Sequence, residues 1–152
     1  MSDDETGSFD LPPDARDYVE LETFEQILEM DDDDDTREFS HALVLGFFEQ
    51  AQTTFEDMDQ KVMERDLGQL SALGHFLKGS SATLGISKVR DCCEKIQHLG
   101  ALKDETGNDD ISEDKALEKI RKLMPTLKSD FEAAKSFLER FYYREDGADA
   151  EE

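Results

Sequence analysis

Residues 117–141 read LEKIRKLMPTLKSDFEAAKSFLERF, and within them Leu117, Ile120, Met124, Leu127, Phe131, Ala134, Leu138 and Phe141 succeed one another in steps of three and four. An α-helix completes a turn in 3.6 residues, so this spacing gathers the apolar side chains into one buried seam along a long helix. Pro125 lies inside the run. It removes one backbone hydrogen bond and crowds the preceding turn, so a kink or short break is expected near Met124.

The helical period continues towards the N-terminus. Leu67 to Leu84 and Ile86 to about Leu102 form two further helices parted near Gly85, and Asp104 to Asp110, with Gly107, makes a polar loop before the last helix. A fourth helix, about Thr36 to Arg65, opens after Asp31 to Asp35, whose carboxylates suit the free N–H groups and the dipole of a helix start. Its segment Phe39, Ala42, Leu43, Val44, Leu45, Phe47, Phe48 is too apolar for one helical face. Its second face therefore needs cover, from a short helix around Tyr18 to Met30 or from a partner. No stretch alternates apolar and polar residues over strand length. The expectation is an all-α protein, an antiparallel four-helix bundle with an additional short N-terminal helix packed across it.

Residues 1–17 carry six acids and Pro12-Pro13 and read as a disordered acidic tail; residues 144–152 read as an acidic C-terminal tail, leaving 18–143 as one domain. Acidic residues outnumber basic ones by 39 to 17, for a net charge of -22, so the field repels nucleic-acid phosphates and anionic membranes. Neither nucleic acid nor membrane is expected as a partner. The two cysteines, Cys92 and Cys93, are adjacent, a spacing that disfavours a disulfide; they read as small buried apolar residues in a reducing compartment. With no signal segment and no membrane-length apolar run, the chain is expected to be soluble and intracellular.

On the helix from Leu67 to Leu84, the residues Leu70, Leu73, Leu77 and Leu84 share a narrow stripe, and His75 lies about 170° from its centre, facing solvent. Ser71, Lys78, Gly79 and Ala82 fall on the histidine's side. Gly79, one turn on, occupies a helix interior where glycine costs about 1 kcal/mol relative to alanine. Its missing side chain clears room beside the imidazole, and Ala82 extends the low surface. Lys78 can place an ammonium near whatever the ring carries, and a phosphoryl group would bring nearly two negative charges. The same cation disfavours imidazolium and so favours a neutral nucleophile. By residue types alone, a plain polar face with an ordinary mid-helix glycine fits equally well.

Other motifs fail on spacing. Gly74-x4-Gly79-Ser80-Ser81 has its lysine before the second glycine, unlike a P-loop. Counting from Asp31, Thr36 stands where a calcium loop needs glycine and Ala42 where it needs glutamate. His41, His75, His98, Cys92 and Cys93 lack the spacing of a structural zinc site, and no metal site is expected. A hydrolase using His75 as base lacks a visible nucleophile and an orienting carboxylate. A helical adaptor binding through the Phe39 to Phe48 face remains open.

The stretch His75-Phe76-Leu77-Lys78-Gly79-Ser80-Ser81-Ala82-Thr83-Leu84-Gly85 resembles the signature of histidine-containing phosphotransfer (HPt) domains of the fungal phosphorelay type. The similarity extends to Met30 to Asp34, Phe48 to Phe55 and Cys93 to Gly100, covers about residues 20 to 102 closely, and reaches the last helix by pattern only. The linker from the aspartate run to Phe39 is slightly longer than the family pattern. The resemblance implies phosphorylation of His75 on its outward ring nitrogen, with Lys78 and Gly79 flanking the ring and Gln50 and Gln97 orienting it or contacting a bound receiver. It implies docking of receiver domains through the first helices and the histidine helix, for which Ile27, Leu43, Phe76 and Ala82 are the candidates. The partners implied are the receiver domain of a hybrid histidine kinase and the receiver domains of response regulators. This chain would be a monomer without a cofactor, Mg²⁺ belonging to the partner receiver. It would act as a phosphohistidine carrier without kinase or hydrolase activity of its own, in osmosensing two-component signalling in the cytoplasm and nucleus.

Overall fold

The computed structural model describes residues 19–31 and 37–150, with side chains to Tyr142. Five helices follow one another: α1 (Leu21–Leu28), α2 (Glu38–Glu64), α3 (Leu67–Leu84), α4 (Ser87–Gly100) and α5 (Glu113–Ala150). Among the described residues there is no β-strand, only an isolated antiparallel bridge between Lys103 and Asp110 in the α4–α5 loop, and no helix is long and apolar enough to cross a membrane. The described residues are all-helical, as the periodicity predicts.

The seam of α5 is the spine of the core: Leu117, Ile120, Leu127, Phe131, Ala134 and Leu138 are all at most 1% exposed. Phe131 sits among Phe47, Phe48 and Phe55 of α2, with ring centroids 6.0, 5.9 and 5.2 Å away. Aromatic rings at such distances and tilts add to the burial of their area. Of the kink or short break expected at Pro125, the break does not occur, and α5 runs through as one helix. Met124 and Leu127 on either side are buried, so packing keeps the helix continuous where one backbone bond is missing. The helix also continues past residue 144, where the sequence suggested a tail, to Ala150. The N-terminal tail assigned to 1–17 and the acids at 32–35 lie outside the described residues.

The start of α2 is held by a buried network. Asp31 accepts hydrogen bonds from the Ser40 backbone N–H and hydroxyl, each at 2.7 Å, and Tyr142 of α5 donates to Ser40 Oγ at 2.8 Å. The first aspartate of the run thus caps the helix from a distance, as its position suggested. His41 stacks on the Tyr142 ring, 4.4 Å between centroids.

Helix α1 buries Phe24, Ile27 and Leu28, and Phe24 meets the rings of Phe141 and Tyr142 edge-on. Its start is fastened to the α3–α4 junction: Glu20 N–H donates to the Gly85 carbonyl at 2.6 Å, and Arg90 bridges to Glu20 at 2.7 Å. Gly85 has φ +76°, and a Cβ there would also stand 2.9 Å from Thr23 Cβ, so both the backbone turn and the close approach require glycine.

Candidate functional site

Helix α3 begins at Asp66, whose carboxylate accepts from the Gln69 N–H at 3.2 Å, and ends at Gly85. Between these caps Leu70 and Leu77 are fully buried and His75 is exposed on the opposite side, the arrangement that a 100° step per residue demands. No described residue holds the His75 ring by a hydrogen bond or ion pair. Gly79 is also exposed, and a Cβ at that position would meet nothing within 4 Å. The strip beside the ring is open, and Ala82 prolongs it.

Two helices flank this ridge. On one side α2 and α3 enclose a shallow groove of about 360 Å³, to which α2 contributes Leu43, Gly46 and Gln50, and α3 Ser80 and Thr83. Leu43 is 38% and Phe76 47% exposed, so both expected docking residues present apolar surface. Ile27 does not. It is 7% exposed, because Phe24, Ile27 and Leu28 share the face of α1 that covers the core, and little of it is left for a partner. Phe39 and Leu45 remain exposed as well, so α1 covers only part of the apolar surface of α2.

On the other side α4 presses unusually close to α3. A Cβ on Gly74 would stand 2.9 Å from the Cys93 carbonyl oxygen, and one on Gly100 would stand 2.6 Å from Ser71 N. Two glycines thus let the backbones nearly touch, one from each helix. Ser71 donates to the Gln97 carbonyl at 2.8 Å across the same seam, which turns it away from the histidine face where its sequence position had placed it. Gln97 follows from this contact: it is half-buried next to Gly74, and its Oε1 is shielded from water without a hydrogen-bond partner among the described residues. Glu94, one turn before it, lies 3.8 Å from the Lys78 ammonium.

The structure therefore brings His75, Lys78 and Gly79 together on α3, Gln50 to the groove on one flank, and Gln97 to the seam on the other. Sequence reasoning missed Gly46, Ser80 and Thr83 in the groove, the seam glycines Gly74 and Gly100, and Glu94. Gly46 carried a signal, a mid-helix glycine in an apolar run, with nothing within 4 Å of a Cβ. Among the described residues no group of three His, Cys, Asp or Glu side chains is placed to hold a metal. Cys92 and Cys93 are free and buried, and burial pushes the Cys92 thiol up to about 12, which makes it a poor nucleophile at neutral pH.

The Hpt domain family matches residues 42–136. The chain is 44% identical over 125 residues to multistep phosphorelay regulator 1 of Schizosaccharomyces pombe, covering 82% of this chain and 42% of that protein. It is 50% identical over 76 residues to the phosphorelay intermediate protein YPD1 of Saccharomyces cerevisiae, covering 49% of this chain and 44% of that one. Each match thus spans less than half of the relative's length. Among solved structures it is similar to the histidine phosphotransfer signaling protein Ypd1 of Saccharomyces cerevisiae, crystallised with the receiver domain of its downstream response regulator Ssk1. That similarity has a TM-score of 0.71 at 33% identity, over 82% of this chain and 94% of that one.

Proposed function

The chain belongs to the Hpt domain family, and from that premise we propose that it is a phosphorelay intermediate, accepting a phosphoryl group on His75 from one receiver aspartate and passing it to another. The observation that carries this reading is the exposed, unengaged ring of His75 beside the open strip at Gly79. Phosphoryl transfer runs through a loose, in-line transition state, so positioning and charge neutralisation supply most of the catalysis.

In the forward step the unprotonated ring nitrogen forms an N–P bond as the P–O bond of the receiver's acyl phosphate breaks. The electron pair leaves with the aspartate as a carboxylate, and the proton on the other ring nitrogen stays in place. Attack by a second receiver's aspartate reverses these bond changes. Lys78 offsets the added charge, Gly79 and Ala82 admit the receiver, and Gln50 and Gln97 orient the ring or touch the docked domain. Leu43 and Phe76 supply apolar contact; Ile27 acts behind them by seating α1. The donor is the receiver of a hybrid histidine kinase and the acceptors are response-regulator receivers, which bring their own Mg²⁺. The crystallised complex of the similar Ypd1 with a receiver domain supports this choice of partner class.

The finer architecture belongs to the same proposal: α2 to α5 form an antiparallel four-helix bundle and α1 lies across it. The pairing of α3 with both α2 and α4, and of α5 with α2 and α4, supports this arrangement.

The test is incubation with a phosphorylated receiver. Wild type takes up acid-labile phosphate and His75→Gln takes up none, while both bind the receiver and melt alike. Equal labelling of the two would overturn His75 as the carrier, and binding of the receiver with no label on either would leave a helical adaptor.

A further inference from the structure

Lys78 is the cation nearest His75 in sequence on the open face, yet its ammonium is already directed at a carboxylate on another helix. Glu94 Oε2 lies 3.8 Å away, with the two side chains 31% and 48% exposed. That distance exceeds a hydrogen bond, and an ion pair so open to water is weak and easily exchanged. The pair therefore adds little to the fold. Its position is not incidental, because Gly74 draws the Cys93–Gln97 turn of α4 against α3 and Glu94 lies on that turn.

We propose that Glu94 is a positioning residue for phosphotransfer, holding Lys78 while His75 is bare and competing with the phosphoryl group for it once His75 is charged. The inference rests on the carrier reading. A phosphoryl group carries nearly two negative charges and attracts the ammonium more strongly than a single carboxylate does. Lys78 then leaves Glu94, and the pairing lost is subtracted from what the phosphoryl group gains. That competition raises the free energy of the phosphohistidine relative to a chain without Glu94. The phosphoryl group is consequently held less tightly and given up more readily, as a relay intermediate requires.

Neutralising Glu94 removes the competitor for Lys78. Glu94→Gln is expected to shift the equilibrium between receiver acyl phosphate and phosphohistidine towards His75 by about twofold to fivefold, the range set by an exposed ion pair. The shift shrinks as salt screens the charges. Glu94→Asp, which keeps the carboxylate on a shorter stem, restores most of the wild-type partition.

The experiment uses the full chain with the Ssk1 receiver domain of Saccharomyces cerevisiae, charged by acetyl phosphate and Mg²⁺, and reads the equilibrium distribution of label for wild type, Glu94→Gln, Lys78→Ala and the double variant. Support is a raised share on His75 in Glu94→Gln, at unchanged melting temperature, that is largely lost when Lys78 is also removed. A labelled wild type with the same partition in Glu94→Gln overturns the inference and leaves the carrier reading standing. So does a Glu94→Gln shift that persists in full without Lys78, since the glutamate would then act without its lysine. A wild type that takes no acid-labile label overturns the carrier reading and this inference with it.

Discussion

Gly74 of α3 lies so close to Gln97 of α4 that a Cβ on the glycine would stand 3.0 Å from the Gln97 backbone nitrogen. The neighbour is main chain, which cannot swing aside as a side chain does, so the helices would have to part. Gly74→Ala is therefore expected to destabilise by about 1–3 kcal/mol from overpacking, against a helix-propensity gain of about 1 kcal/mol. Urea unfolding measures the net change. A midpoint above wild type would show that the seam is not held by contact at this glycine.

At Gly79 the opposite holds, because nothing lies within 4 Å of a Cβ. Gly79→Gln should raise stability by up to about 1 kcal/mol while slowing receiver-to-His75 transfer, since the new side chain fills the cleared strip. Stopped transfer assays under single-turnover conditions read the rate. Transfer at the wild-type rate would mean that the open strip has no role in docking.

The network of Asp31, Ser40 and Tyr142 ties the α1–α2 connection to the far part of α5. Asp31→Ala strips two hydrogen bonds from Ser40, one of them a helix cap, and should cost about 1–3 kcal/mol. Tyr142→Phe keeps the ring and loses only its bond to Ser40 Oγ, for a loss of about 1 kcal/mol. The double variant should lose less than the sum, because both residues act on one hydroxyl. Strict additivity in thermal or urea melts would contradict a shared network.

Burial pushes the Tyr142 phenol up to about 12, with Asp31 adding to the shift and the Ser40 bond opposing it, and it pushes the Cys92 thiol up to about 12. In the unfolded chain these groups ionise near about 10 and about 8.5. Their contribution to stability is therefore complete below about pH 8.5 and falls as pH rises towards 12, because the unfolded chain releases these protons first. Unfolding free energies at stepped alkaline pH should decline through that window, less steeply for Tyr142→Phe above about pH 10. Thiol alkylation at neutral pH should be slow until the protein is unfolded.

Much of this was readable from residue order. The seam of α5 and the stripe of α3 were legible because a helix converts spacing into direction, and His75 faced away from Leu70 and Leu77 as soon as the 100° step was applied. Gly79 was legible for a similar reason, since an open position in a helix depends on its own missing Cβ. Ile27 was not: its apolar character suits a docking face or a core equally, and only the packing of Phe24 on Phe141 and Tyr142 shows which way α1 turns. Pro125 does not break α5, because a propensity describes a helix standing alone and α5 packs against α2 and α4.

What the order of residues determined by itself, then, is the helical class, the boundaries of α3 from Leu67 to Leu84, and the histidine, lysine and glycine of its outward face, all of which follow from local geometry within one helix. The meeting of Glu94 with Lys78, the burial of Gln97 beside Gly74, the groove opened by Gly46 and the bond from Tyr142 to Ser40 were decided only in three dimensions. Each joins side chains from separate helices, and no periodicity within a helix carries information about which residue of another helix will come to stand against it.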